Sequence, residues 1–505
     1  MTDRTAASPR LERHVLVVAG IVAIGAIMTV LDSTIVSVAI RTLSTQFHAP
    51  LTTIQWVPAG YLLALAAVIP LSGWAVDRFG AKQVWLTSLV LFLAGSALCG
   101  LAWSAASLIA FRVIQGLGGG LVLPVGQAML AQVAGRERMG RVMSLVGIPL
   151  LLGPIFGPVL GGVLIDQASW RWIFLINLPI GAVALPLSMW LLDRAEPRRT
   201  ERVDIVGLLL LSPGLALAVY GLSKLVSVDG GSSRDALLGL IGAAVLLPAF
   251  VLYALRRSNP LLDLRLFGDR VFSAANLVNA LTGAAMIGAM FLLPLYYQSL
   301  RGESAMVAGL LTAPQGVGAA IAMPLGGRLV DRGRAGVAVV LGALVMAAGY
   351  VAFVLQTPRT SYLVLSAALF VVGVGAGLSI TPSMSAAYRN VPPRSMARAT
   401  ALLNIVQRIG GLAGTAVFAI VLQDRLSTLV PGGAGVLGGR LDPHSPTADA
   451  VSTAFAHTFV WPLVLAGVAV LPALLLPRHP PPRPERTPQH EKGPSPLAET
   501  ERSAR

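Results

Sequence analysis

The chain has 505 residues, 55% hydrophobic and 12% charged, with a mean hydropathy of +0.74 and a formal net charge of +15. Soluble proteins carry roughly 25% charged residues, so this composition excludes a soluble enzyme or binding module and places the chain in a membrane. The single cysteine, Cys99, excludes an intrachain disulfide.

The start, MTDRTAASPRLERH, is polar and leads into an uncharged span at about 15–40 with no small-residue cleavage pattern, so the first helix is expected to be retained. That span carries LDSTIVSVAI, Leu31 to Ile40, and within it Asp32. No other acidic residue lies deep in a hydrophobic run; Asp166 and Asp204 sit at span ends. Burying a charged carboxylate costs at least several kcal/mol, so Asp32 is expected to have a function or a partner. Desolvation disfavours its charged form, which suits it to take up and release protons. Permanent pairing, or capping of a broken helix, is the alternative.

A second span at about 52–72 ends in GWAVDRFGAK, with Gly73, Asp77, Arg78, Gly80 and Lys82, before a third at about 83–102. Asp77 there can accept from Arg or a helix N-terminus, while Arg78 and Lys82 can pair with acidic groups across an interface. The fourth span, about 106–131, holds FRVIQGLGGG with Arg112 and Gln115. Asp32 precedes the outer end of span 1 by eight residues, and Arg112 follows the outer start of span 4 by six. At 1.5 Å per residue both lie roughly 10 Å below the outer surface, which lets them meet. A fixed salt bridge between helices is the plainer reading of the pair.

The fifth span, about 142–165, contains GPIFGPVLGG, with Gly153, Pro154, Gly157, Pro158, Gly161 and Gly162. Gly and Pro cost about 1 and 3 kcal/mol in a helix interior relative to Ala, yet a backbone in lipid cannot leave the helix. Glycines at every fourth position line one face and admit a neighbouring helix closely, while the prolines bend the segment. Ordinary small-residue packing explains a lone repeat of this kind.

WRWIFLINLPIG, Trp170 to Gly181, opens the sixth span at about 172–192, and the basic segment DRAEPRRTERVD follows. Spans 7 and 8, about 205–226 and 236–255, read as a removable-looking insert between two six-span halves. Six more follow at about 272–298, 306–330, 336–356, 361–387, 399–422 and 454–477. GRLVDRGR after span 10, with Gly327, Asp331 and Arg332, repeats the Gly-x-x-x-Asp-Arg pattern after span 2. The chain therefore divides into 1–192, a linker and insert at 193–258, a second six-span unit at 259–477, and a Pro-rich tail at 478–505 expected to be disordered. The segment 424–453 reads as a flexible external loop.

In NIVQRIGG of span 13, Asn404, Gln407 and Arg408 lie near mid-membrane. Two readings of Arg408 stand level: it lines a cavity and binds an anionic group, or it holds span 13 to a carbonyl. Trp56, Tyr61, Tyr296 and Tyr297 read as a substrate path or, more commonly, as interfacial belt and packing. Of the 38 Lys and Arg, 28 fall on the side of the N-terminus, 8 on the other and 2 within the membrane. This asymmetry places both termini in the cytoplasm and explains the net charge without nucleic acid.

GWAVDRFGAK resembles the cytoplasmic signature of the major facilitator superfamily. GPIFGPVLGG is similar to the fifth-helix signature of its drug:proton antiporters, and LDSTIVSVAI, WRWIFLINLPIG and FLLPLYYQSLRG resemble stretches of the subgroup with fourteen spans. The resemblance implies an all-α membrane protein of two six-helix bundles plus two inserted helices. It implies proton transfer through Arg112 and its Gln115-Gly116 neighbours, a span-5 contact between the halves that limits leakage, and Asp-Arg latches on the cytoplasmic side. The expected activity is proton-driven export of amphipathic small molecules, such as an antibiotic or a dye, from a bacterial cytoplasmic membrane. A dedicated exporter of one endogenous metabolite fits the same motifs; an uptake permease fits the span-5 signature less well. The expected partners are substrate, protons and the lipid bilayer, and the expected state is a monomer. No cofactor or metal is expected, since the six histidines are scattered and no phosphate loop is present. Spans 10 and 13 lack the second carboxylate some members carry, which weighs against strongly cationic drugs.

Overall fold

The computed structural model describes residues 13–193, 203–226, 233–258, 260–392, 395–430 and 445–477. The described residues form helices with short tight turns and no strand. The first unit comprises α1 (Arg13–Ile35), α2 (Ile40–Phe47), α3 (Leu51–Ile54), α4 (Trp56–Val68), α5 (Leu71–Phe79), α6 (Ala81–Gly100), α7 (Ala105–Gln167), α8 (Trp172–Leu175) and α9 (Asn177–Leu191). The insert is α10 (Ile205–Val226) and α11 (Ser233–Arg256). The second unit comprises α12 (Arg270–Leu295), α13 (Ala305–Asp331), α14 (Ala335–Val354), α15 (Tyr362–Ala387), α16 (Met396–Leu429), α17 (Pro446–Val468) and α18 (Val470–Ala473). Among the described residues twelve helices are long and apolar enough to cross a membrane, and α4 with α5, bent by 56°, makes a thirteenth.

The remaining expected span lies in α7, which runs as helix for 63 residues. Straight, it would reach about 95 Å, three times a bilayer core. Yet Arg112 near its start and Gly157 near its end both touch the end of α1. The chain must therefore reverse roughly midway, giving two antiparallel arms that match the expected spans 4 and 5. Gly153, Pro154 and Pro158 of the second arm lie outside the residues whose side chains are described.

The two Asp-Arg loops have matching local geometry. Gly80 between α5 and α6 has φ 84°, and Gly333 between α13 and α14 has φ 74°. Only glycine adopts this region without strain, so each short turn can reverse the chain directly after its Asp-Arg pair.

At the end that carries these loops, one apolar core runs through both units: Val18, Trp85 and Leu130 belong to it together with Tyr388, Leu403 and Val339. At the opposite end the core is divided. Leu108 and Phe174 pack within the first unit, while Tyr297, Phe353 and Phe459 pack within the second. The units thus share one core at the loop end, and α7 of the first unit also packs on α13 of the second.

The insert packs on both units. α10 packs on α4 of the first unit and on α16 of the second. The Ser212 hydroxyl donates to the Ala67 carbonyl at 2.6 Å, and Tyr220 stacks on Trp56 with centroids 5.7 Å apart. Asp204 fixes its base, accepting from the Gly207 amide at 3.0 Å, the Tyr253 hydroxyl at 2.7 Å and the Leu261 amide at 3.2 Å.

Candidate functional site

The last turn of α1 and the first turns of α7 bring Asp32 and Arg112 together, as the depth argument expects. Arg112 Nη1 donates to Asp32 Oδ2 at 2.6 Å, and both side chains have 0% exposure. The other carboxylate oxygen, Oδ1, accepts from Gln115 Nε2 at 2.7 Å and from Asn177 Nδ2 at 3.2 Å. Three N–H donors on one carboxylate match the ionised form, which only accepts.

Arg112 is held independently of Asp32. Its Nε donates to the Val57 carbonyl at 3.3 Å, Nη1 also reaches Gln115 Oε1 at 2.8 Å, and the guanidinium lies 4.1 Å from the Tyr61 ring centroid. Ser96 closes the network by accepting from Gln115 at 3.1 Å and Asn177 at 3.0 Å while donating to the Phe174 carbonyl. Arg112 Nη2 and Asn177 Oδ1 are buried without a hydrogen-bond partner among the described residues. The network therefore joins α1, α4, α6, α7 and α9 around one ion pair.

Several parts of this network, Ser96 among them, were not read from the sequence. Asn177 sits within WRWIFLINLPIG, where a lone amide in an apolar run was the available signal. Tyr61, fully buried, serves as a platform for Arg112. Tyr296 and Tyr297 are fully buried in the core of the second unit, with centroids 5.2 Å apart, which is the packing role.

The glycine face of the second α7 arm meets α1 and the turn after it. A Cβ on Gly157 would stand 2.0 Å from Thr34 Oγ1, and one on Gly161 2.6 Å from Val38 Cγ2. Gly162 has open space. Gly157 and Gly161 thus face the span that carries Asp32, in the same half, while α7 as a whole also packs on α13 of the other half.

At the loop end Asp77 pairs with Arg398 of α16 at 3.5 Å, and a Cβ on Gly73 would stand 3.0 Å from Arg398 Cγ. Gly73 is thus the gap through which Arg398 approaches. Among the described residues Lys82 pairs with no acidic group; it donates to the Met189 and Leu192 carbonyls at 2.7 and 2.5 Å, capping α9 in its own unit. Carbonyls at a helix C-terminus carry partial negative charge, which satisfies the ammonium locally. Gly80 supplies the turn described above, Arg78 and Arg332 are exposed, and Gly327 and Asp331 lie in the last turns of α13. A further bond between the units, from Asn404 Nδ2 to Gln127 Oε1 at 2.8 Å, is buried. Gln407 lies along α12, where its carbonyl would be 3.2 Å from a Cβ on Gly283. Gln115 belongs to the Asp32 network.

The family model described as Major Facilitator Superfamily matches residues 22–415. The multidrug resistance protein B homolog of Mycobacterium tuberculosis is 38% identical over 492 residues, covering 93% of this chain and 91% of that protein. The multidrug export protein EmrB of Haemophilus influenzae is 32% identical over 400 residues, covering 79% of this chain and 78% of that one. Among solved structures, the proton:xylose symporter XylE, of the same superfamily, aligns with a TM-score of 0.63 at 16% identity, over 91% of this chain and 94% of that chain. That likeness is one of fold.

Proposed function

Because the chain belongs to the Major Facilitator Superfamily and is therefore a transporter, we propose that it exports amphipathic small molecules from the cytoplasm in exchange for protons. The relatives named for multidrug resistance and export support efflux as the direction and mixed small molecules as the cargo. The observation that carries proton coupling is the fully buried Asp32–Arg112 pair, which spends a desolvation cost that packing alone does not require.

In this reading the loop end is cytoplasmic, and the shared core there with the divided core opposite corresponds to an outward-facing conformation. A proton arriving from outside neutralises Asp32 and abolishes its attraction to Arg112. Arg112 remains fixed by Val57, Gln115 and Tyr61, so the end of α1 is the part released. The α7 arm bearing Gly157 and Gly161 lies directly on that end, which couples the proton to helix packing. At the loop end the Asp77–Arg398 pair and the Gln127–Asn404 bond must break for cytoplasmic opening. Substrate and proton are linked through this one conformational change.

The test is Asp32→Asn, which keeps the shape and cannot change charge. In inverted vesicles with an imposed pH gradient, uphill export should vanish while equilibrium substrate binding persists. Full proton-coupled export by Asp32→Asn would refute the assignment.

A further inference from the structure

Asn177, the first residue of α9, is fully buried against Asp32, and only one end of its amide is engaged. Its Nδ2 donates to Asp32 Oδ1 at 3.2 Å and to Ser96 Oγ at 3.0 Å, while its own Oδ1 is buried without a partner among the described residues. A buried acceptor left without a donor is costly, so this oxygen is suited to a donor that exists in another state of the site.

Protonation of Asp32 creates that donor. A carboxylate only accepts, whereas a carboxylic acid carries one O–H that must find an acceptor. Arg112 offers none. Gln115 is held at both ends: Nε2 donates to Asp32 and Ser96, and Oε1 accepts from Arg112 and from the Cys99 thiol at 3.6 Å. Ser96 already receives two amide N–H groups. The titratable and charged groups around the carboxylate are Arg112 of α7, Cys99 of α6 and Tyr61 of α4, whose hydroxyl donates to the Thr29 carbonyl at 3.4 Å. Half-buried Arg408 of α16 acts on Tyr61 from the second unit, and α8 and α9 bring no such group. The terminal torsion of asparagine is broad and roughly two-fold, so half a turn puts Oδ1 where Nδ2 stands, opposite Asp32 Oδ1. The Ser96 hydroxyl, which donates to the Phe174 carbonyl at 2.8 Å, can rotate to meet the same oxygen.

We infer that Asn177 is a positioning residue that follows the protonation state of Asp32: its amide donates to the carboxylate and, turned, accepts from the acid. The proton stays on Asp32 Oδ1, Arg112 keeps its charge, and no covalent bond of Asn177 changes. The end of α1, released from Arg112 of α7, is thereby held by Asn177 of α9. The inference rests on Asp32 being the proton carrier and adds what holds it once protonated.

The test is infrared difference spectroscopy between alkaline and acidic buffer, on the full chain in nanodiscs with carbon-13 at the asparagine side-chain carbonyls. The carboxylic acid band that Asp32→Asn removes should appear together with a shift of one labelled carbonyl to lower frequency. That shift should be lost in Asp32→Asn, and also in Asn177→Gln, which keeps an amide at the position but carries no label there. A donor that merely braces the fold would give no such shift. An Asp32 acid band without a labelled carbonyl shift in the wild type overturns the inference while leaving Asp32 as the proton carrier, and this comparison needs no variant at position 177. A shift that persists in Asn177→Gln belongs to another asparagine and overturns it as well. Absence of any band sensitive to Asp32→Asn would overturn the proton reading and this inference with it, so the two failures are distinct.

Discussion

Replacing Gly157 by alanine tests whether the second α7 arm controls the end of α1. The added Cβ would stand 2.0 Å from Thr34 Oγ1, 2.7 Å from Thr34 Cβ and 3.1 Å from the Ile35 nitrogen. Rotating Thr34 moves its hydroxyl, but neither its Cβ nor the backbone nitrogen. Carbon atoms pack at about 3.5–4.0 Å, so the arm and α1 must part by about 1 Å. Overpacking of this kind costs about 1–3 kcal/mol, a factor of roughly five to a hundred and fifty in a conformational equilibrium. Thr34 lies two residues after Asp32, whose bond to Arg112 is 2.6 Å. A shift of that size would pull the carboxylate from its donors. Proton-driven export in inverted vesicles should fall by about tenfold or more at unchanged membrane abundance, measured by quantitative immunoblot. Gly162→Ala is the control, because nothing lies within 4 Å of its added Cβ. Wild-type export by Gly157→Ala, or equal damage from Gly162→Ala, would refute this account.

Asn177→Ala removes a donor to both Asp32 and Ser96; export should fall and thermal stability in detergent drop by an amount corresponding to about 1.5–3 kcal/mol, the scale of hydrogen bonds to charged groups. A double-mutant cycle on Gln127→Ala and Asn404→Ala, read by thermal unfolding, should give a coupling of about 0.6–1.7 kcal/mol, whereas additive effects would deny the bond between the units. Reporter fusions at Glu201 and after the tail should both report the cytoplasm, and an external signal from either would invert the assigned orientation.

Much of the fold was legible because hydrophobic runs of membrane length and the placement of Lys and Arg are local properties of the chain. The bilayer permits only a helix for such runs, so span positions follow from residue types alone. The Asp32–Arg112 meeting was legible for a related reason: helical rise fixes depth, and a buried carboxylate at the same depth as a buried guanidinium has few other partners. The Gly-x-x-x-Asp-Arg repeat similarly marked the two short loops, where Gly80 and Gly333 allow the turn.

What depth does not fix is which face of a helix meets which neighbour, and there the tertiary packing decided. The sequence put Gly157 and Gly161 on one face; only the assembled helices turn that face toward Thr34 and Val38 in the same half. It marked Lys82 as a cation at an interface, but the nearby end of α9 offers carbonyls, so the cation stays within its own unit. Asn177 came into the site from another span through helix rotation, which periodicity in an almost wholly apolar run cannot report. The insert read as separable because it interrupts two similar halves. Its position across α4 and α16 follows from apolar surfaces that exist only once both halves are folded.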